Sequence, residues 1–269
     1  MADNFIKFHK YSGAGNDFII IDNRKQTLVP ENLPIKTLCC RKKGIGADGL
    51  ILVEPSVSSL CKMRIFNADG SEAEMCGNGI RCVVDYLYSD PLSDILCEIE
   101  SKHKNHLAWK KNGLITIDMG SPTDIVWEID LKLKNDNITA SFLNTGVPHT
   151  VLFCEDVNSL QVSSIGREIR FHNKFTPKGT NVNFAQIIDG GIKIRTYERG
   201  VESETEACGT GATAAAIVAA KKFKISPPIK VFVQSKDFLL IDFDIEGNSI
   251  SNVKMAGPCT KVFEGRFKL

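Results

Sequence analysis

The 269-residue chain lacks an excess of charge of either sign: 33 lysines and arginines stand against 32 aspartates and glutamates, a net of +1. Nucleic-acid binders and polybasic membrane surfaces need a concentration of basic residues. The expected ligand is therefore small. No apolar run approaches the roughly 18 residues of a spanning helix. The start, MADNFIKFHK, has no basic stretch leading into an apolar core of the kind that marks an export signal. A cytoplasmic protein that engages neither nucleic acid nor membrane is the expectation. Also missing is any Cys-x-x-Cys pair: the nine cysteines stand at 39, 40, 61, 76, 82, 97, 154, 208 and 259. That excludes the usual zinc-site spacing and leaves an odd number of reduced thiols, most of them expected in the interior.

What is present is ample apolar material, 43% of residues, in a chain of comfortable length for two domains. Short segments rich in β-branched and aromatic residues predict strands at 5–10, 18–21, 62–66, 95–100, 114–118 and 150–153. Asn112-Gly113 and Gly190-Gly191, each between two such segments, predict tight hairpins. Helical patterning is sparser and clearest in GIRCVVDYLYSD and GATAAAIVAAKKF, with LPIKTLCCRK as an ordinary amphipathic piece. Residues 211–220 carry no charge, and a helix without a polar face is buried all round.

Both clear helices begin at a repeated phrase. SEAEMCGNG at 71–79 and SETEACGTG at 203–211 share six of nine positions. Elsewhere the halves show no identity beyond the strand and helix pattern, and DMGSPTD at 118–124 has the turn chemistry of a junction. Two similar strand-rich domains are expected, each wrapped around a helix whose start carries a cysteine.

The glycines around each cysteine remove Cβ atoms where a ligand would approach. A helix start adds unpaired N–H groups and a dipole, which together bind an anion. The same field favours thiolate over thiol. Each copy of the motif can thus hold a carboxylate beside an activated sulfur. Two copies acting on one substrate would have a sulfur on each side of its α-carbon, so one removes the α-proton and the other replaces it with inversion. Cys76 and Cys208 are the candidate catalytic residues on these grounds alone.

SGAGNDF at 12–18, GIGADG at 44–49, RIFNADGSEAEMCGNGIRC at 64–82, VPH at 147–149, GTNVNF at 179–184, YERG at 197–200, EACGTGA at 206–212 and GPCTKVFEG at 257–265 resemble, in order, the signatures of the diaminopimelate epimerases. The resemblance spans essentially the whole chain. It implies an α/β (α+β) fold of two like domains, each a β-barrel-like sheet around a central helix, related by a pseudo-twofold axis. It further implies that residues 1–119 are completed by a C-terminal strand at 255–269, with 120–254 as the second domain.

By the same resemblance the chain interconverts LL- and meso-diaminopimelate through a thiolate and thiol pair, for lysine and peptidoglycan precursors. Cys76 and Cys208 are then the acid and base, with His149 and Glu198 assisting proton movement. Gly77, Asn78, Gly209 and Thr210 hold the reacting carboxylate, and Asn16, Asn67, Asn181 and Arg199 bind the rest of the substrate. The expected partner is this amino acid, with a homodimer as an open alternative to a monomer. No motif demands a metal or pyridoxal cofactor.

Three positions depart from the family pattern: Val147 where asparagine is usual, one extra residue between YERG and EACG with Glu202 in place of a common glycine, and the variable Gly49. The first two leave relaxed specificity as an alternative, toward glutamate or toward the proline and hydroxyproline racemases. Three other readings compete. GIGADG formally fits a dinucleotide fingerprint but follows CCRKK and precedes LILVE, the wrong context. Thiol redox chemistry is a second class, although its cysteine pairs are commonly adjacent or Cys-x-x-Cys whereas these two are remote in sequence; their oxidation to an inactive disulfide would instead make the catalytic activity depend on a reductant. A noncatalytic anion binder is a third.

Overall fold

The protein is described by a computed structural model that covers residues 5–90 and 94–269; the first four residues of the start considered above lie outside it. The fold is a strand-dominated α+β architecture divided into two compact units. One comprises the described residues up to Ile117 together with Gly257–Leu269, and the other runs Asp118–Ala256.

The first unit contains β1 (Phe5–Gly13), β2 (Asn16–Asp22), α1 (Ile35–Cys39), β3 (Gly49–Glu54), β4 (Cys61–Asn67), β5 (Glu72–Ala73), α2 (Gly77–Leu87), β6 (Ile95–Glu100), β7 (Asn105–Lys111) and β8 (Leu114–Asp118). The second contains β9 (Thr123–Lys132), β10 (Asn137–Asn144), β11 (Pro148–Phe153), α3 (Val162–Arg170), β12 (Asn181–Ile188), β13 (Gly191–Glu198), β14 (Ser203–Thr205), α4 (Gly209–Phe223), β15 (Ile229–Phe232), β16 (Phe238–Glu246) and β17 (Ser249–Gly257). The last strand, β18 (Thr260–Lys268), pairs with β1 and so returns to the first unit.

Strand pairing repeats between the units far beyond the nine-residue motif. In the first, β18, β1 and β2 pair antiparallel, β2 and β3 parallel, and β3 and β4 antiparallel. Strand β4 then takes β5 antiparallel and β6 parallel, followed by β7 and β8. The second unit follows the same scheme with β9, β10, β11, β12, β13, then β14 and β15, then β16 and β17. The duplication is thus of the whole strand scheme, although the sequences retain it only at the motif.

The central strands read as continuous apolar runs because both faces are covered. In the first unit Ile19, Ile21, Leu50 and Leu52 join Leu33, Ile35 and Leu38 in one cluster. The alternate Ile51 meets Gly79 of α2 on the opposite side. In the second, Val182, Phe184 and Tyr197 pack with Val162 and Ile169 of α3. Every residue of α4 from Gly211 to Ala220 is buried, as its uncharged sequence requires. The hairpin at 112–113 turns through two residues with φ of 50° and 76°, which suits asparagine followed by glycine. GIGADG leads into strand β3 rather than a helix, and this removes the basis for a dinucleotide site. Among the described residues no helix is long and apolar enough to cross a membrane.

Candidate active site

Each motif begins with a short strand that pairs back on its neighbour, continues through a cysteine in extended conformation, and enters a helix. Cys76 caps α2 and Cys208 caps α4, with φ of −146° and −131°. This is the Ncap geometry, in which the residue before the helix stays extended while its carbonyl takes the first helical bond. Ile80 N donates to Cys76 O at 2.9 Å and Ala212 N to Cys208 O at 2.8 Å.

The two Ser-Glu pairs in the motifs have a structural use. Glu72 of β5 receives Arg64 Nε at 2.9 Å and Nη2 at 3.0 Å. Glu204 of β14 receives Arg195 through the same two nitrogens, both at 2.6 Å. These bidentate clamps lock the short strand against β4 or β13 and so aim the chain into the helix. The hydrogen bonds from Arg64 hold the Glu72 carboxyl below its ordinary value.

Around Cys76, the sulfur accepts a long hydrogen bond from Gly79 N at 3.4 Å. Asn78 is buried, takes Arg81 Nη2 on its oxygen at 2.9 Å, and donates to Asn16 Oδ1 at 3.0 Å. Asn16 in turn donates to Asp48 at 2.9 Å. Arg41 bridges Asp48 and Asp17, at 2.8 and 2.7 Å. Burial would raise the Asp17 carboxyl, but the Arg41 and Lys10 hydrogen bonds outweigh it and hold it at about 2. Asn16 and Asn78 are therefore oriented from behind by a charged network, whereas Asn67 is exposed at the end of β4 and donates to Ser71 Oγ at 3.0 Å. Gly77 is buried in the first turn of α2.

Around Cys208 the arrangement differs. The sulfur lies 3.5 Å from Thr210 Oγ1, and that hydroxyl lies 2.8 Å from His149 Nε2. His149 Nδ1 faces Asn183 Nδ2 at 3.0 Å, and the same nitrogen donates to Thr150 O at 3.1 Å. Asn183 Oδ1 accepts from Thr196 Oγ1 at 3.0 Å. A backbone carbonyl only accepts, so the amide orientation is fixed and His149 Nδ1 must accept as well. The imidazole proton then sits on Nε2 and points at Thr210. Burial, reinforced by the Arg199 charge, lowers the His149 pKa to about 3. The ring is neutral and acts as a fixed donor. When Cys208 is the thiolate, Thr210 donates to it.

Asn183 was not among the sequence-derived candidates. Its trace in the sequence is Gly211: a methyl there would collide with Asn183 Oδ1. In the first unit the matching contact from Gly79 is to Ile51. The strand registers pair Phe18 with Gly49 and His149 with Asn181, so Phe18 and Ile51 stand where the second unit has His149 and Asn183. The polar relay exists on one side only.

The remaining candidates sort by their contacts. Asn181 is buried, donates to Pro148 O at 2.9 Å and accepts from Arg199 N at 2.8 Å, so its amide braces two backbone segments. Arg199 reaches Lys178 O at 3.3 Å. Glu198 accepts from Thr205 Oγ1 at 3.0 Å, and it follows Arg195 by three residues as Asn67 follows Arg64. Gly209 and Thr210 open α4. Glu202 holds φ of 57°, a left-handed value that explains why glycine suits the position. Its carboxylate is occupied by Arg170 Nε and Nη2, at 3.1 and 3.0 Å.

The family model described as diaminopimelate epimerase matches residues 8–125 and 141–262. A diaminopimelate epimerase from Aquifex aeolicus is 40% identical over 275 residues, covering 97% of both chains. The chain belongs to the diaminopimelate epimerase family. A second family relative, from Flavobacterium psychrophilum, is 40% identical over 263 residues and covers 96% of this chain and 99% of its own. Among solved structures, a phenazine biosynthesis protein of the PhzF family from Bacillus anthracis aligns with TM-score 0.74 at 15% identity, covering 98% and 99% of the two chains. A hydroxyproline epimerase from Agrobacterium vitis aligns with TM-score 0.72 at 12% identity, covering 99% and 93%. Those two likenesses bear on the fold alone, which this chain shares with both proteins. The proline and hydroxyproline alternative has only this support and is not favoured over the family's own activity.

Proposed function

We propose that this protein is an isomerase that interconverts LL- and meso-2,6-diaminopimelate by moving the α-proton between two cysteine sulfurs. The observation that carries the reading is identity of 40% with diaminopimelate epimerases across nearly the full length of both chains. The capping positions of Cys76 and Cys208 support the mechanism, since both sulfurs sit where a helix start favours negative charge.

In the reaction, the substrate carboxylate lies against the N–H groups that open α2 and α4, including those of Gly77, Asn78, Gly209 and Thr210. One sulfur, as thiolate, takes the α-proton, and the other, as thiol, returns a proton to the opposite face. The stereocentre inverts and the two sulfurs exchange protonation states. Charge that develops on the carboxylate is met by fixed donors, each worth about 2.7–4 kcal/mol in comparable sites. Alignment of the reacting groups contributes roughly 7–11 kcal/mol more. On the Cys208 side the neutral His149 stabilises the thiolate through Thr210 and does not itself trade the proton. Glu198 assists the movement of the proton, and Asn16, Asn67, Asn181 and Arg199 supply or brace the polar surface that receives the distal amino-acid head.

The test is epimerisation of LL-diaminopimelate in heavy water by the wild type, Cys76→Ala and Cys208→Ala. The expected result is deuterium at the α-carbon of the inverted product with the wild type, and loss of epimerisation in both variants. Turnover that survives either substitution would overturn the two-sulfur mechanism, and absence of any exchange by the wild type would favour a binding protein.

A further inference from the structure

A second pair of cysteines, distinct from Cys76 and Cys208, lies in the first unit. Cys82 on α2 and Cys259, which directly precedes β18, approach to 4.0 Å between sulfurs, with Cys82 as donor. Arg81, next along the helix, is fully buried. Its Nη2 donates to Asn78, while its Nε and Nη1 have no hydrogen-bond partner among the described residues. A guanidinium cannot shed its charge, and burying one without an anion costs several kcal/mol. Its charge is felt at the sulfur of Cys259.

Burial alone would raise the Cys259 thiol; the S–H bond from Cys82 and the adjacent Arg81 charge outweigh it, and also the opposing charge of Asp85, bringing the thiol below its ordinary value. Asp85 is itself engaged by Lys110 at 2.9 Å. Cys82 moves the other way, pushed well up by burial and by the sulfur it donates to. The pair is thus divided into a more acidic sulfur at Cys259 and a less acidic one at Cys82.

The geometry points to Cys82 and Cys259 as a two-electron redox modification site that reacts with a small neutral peroxide. Cys259 is partly exposed and Cys82 is completely covered, which fixes the order of events. The Cys259 thiolate attacks one peroxide oxygen and breaks the O–O bond, giving Cys259 sulfenic acid and hydroxide. The Cys82 sulfur then attacks the sulfenic sulfur, its proton leaves with the departing hydroxyl as water, and a disulfide forms. Two thiols have been oxidised and one peroxide reduced to the level of water. The link would join positions 177 apart in sequence and enclose the whole of Asp118–Ala256 in one covalent loop. This site does not depend on the catalytic reading.

The experiment exposes wild-type protein to hydrogen peroxide, alkylates remaining thiols under denaturing conditions, and maps tryptic peptides by mass spectrometry with fragmentation. Trypsin cuts after Arg81 and so separates Cys76 from Cys82, while Cys259 falls in MAGPCTK and fragmentation resolves Cys82 from Cys97. The expected result is loss of two alkylatable thiols to a Cys82–Cys259 linked peptide, ahead of any loss at the buried Cys39 and Cys61. Cys259→Ser should leave Cys82 fully alkylatable after the same exposure. The proposal is overturned if Cys82 and Cys259 stay alkylatable while Cys76 or Cys208 is consumed, if Cys259 ends only as sulfinic acid, or if Cys82 is still lost in Cys259→Ser.

Discussion

Asn183→Asp exchanges one heavy atom of a side chain, yet it should reverse the relay behind Cys208. In the wild type Asn183 Nδ2 gives hydrogen bonds to His149 Nδ1 at 3.0 Å and Thr150 O at 3.1 Å. An aspartate oxygen at that place accepts instead. The neutral imidazole must then carry its proton on Nδ1, and its bare Nε2 draws the Thr210 hydroxyl away from Cys208. Thr150 O also loses its donor, a cost of about 1–3 kcal/mol in stability. A hydrogen bond to a charged group contributes about 1.5–3 kcal/mol, so kcat/KM should fall by roughly tenfold to 150-fold. At lower pH the carboxylate can hold His149 as imidazolium, which donates from both nitrogens, and part of the loss should return. The assay is kcat/KM for epimerisation against pH, together with nitrogen NMR of the labelled His149 ring. A folded variant that keeps the Nε2 proton and wild-type kcat/KM above neutral pH would refute the reasoning.

Thr210→Val removes the linking hydroxyl while keeping the shape; kcat/KM should drop about tenfold to a hundredfold, and an unchanged value in steady-state assays would show that the hydroxyl is idle. Glu204→Gln breaks the clamp to Arg195 and should lower stability by about 1–2 kcal/mol in urea melts, with Glu72→Gln behaving alike against Arg64. His149 is neutral in the fold with a pKa of about 3, whereas in the unfolded chain it protonates below about 6.5. Its contribution is therefore fully present above 6.5 and is lost as pH falls toward 3, by up to about 4 kcal/mol. Urea melts of His149→Gln across that range should show a shallower acid decline than the wild type.

Much of the candidate site was legible because its signals are local. A cysteine followed by two spaced glycines and an apolar run marks a helix start wherever it falls, and both copies folded as helix caps. The hairpins and most strands were readable for the same reason. What escaped depends on pairings distant in sequence. Asn183 sits in GTNVNF, where asparagine reads as a turn residue, and it meets His149 only because β11 and β12 pair in parallel across 34 positions. The repeated glutamates of the motif drew attention by identity, but their partners Arg64 and Arg195 lie on neighbouring strands, outside the phrase that repeats. The apolar counterparts Phe18 and Ile51 look like ordinary core in a linear reading, and only the registers reveal that they stand where the other unit is polar.

That one-sided relay has a kinetic consequence on the proposed reaction. Cys208 is the base in one direction and the acid in the other, so the transition state it serves is common to both. The ratio of forward to reverse kcat/KM is set by the equilibrium between LL and meso substrate, which no side chain can alter. Weakening Thr210 or Asn183 must therefore lower kcat/KM equally both ways. The inequality of the two halves is free to appear only in how each direction divides that loss between turnover and saturation, and there the polar and the apolar unit should leave opposite marks.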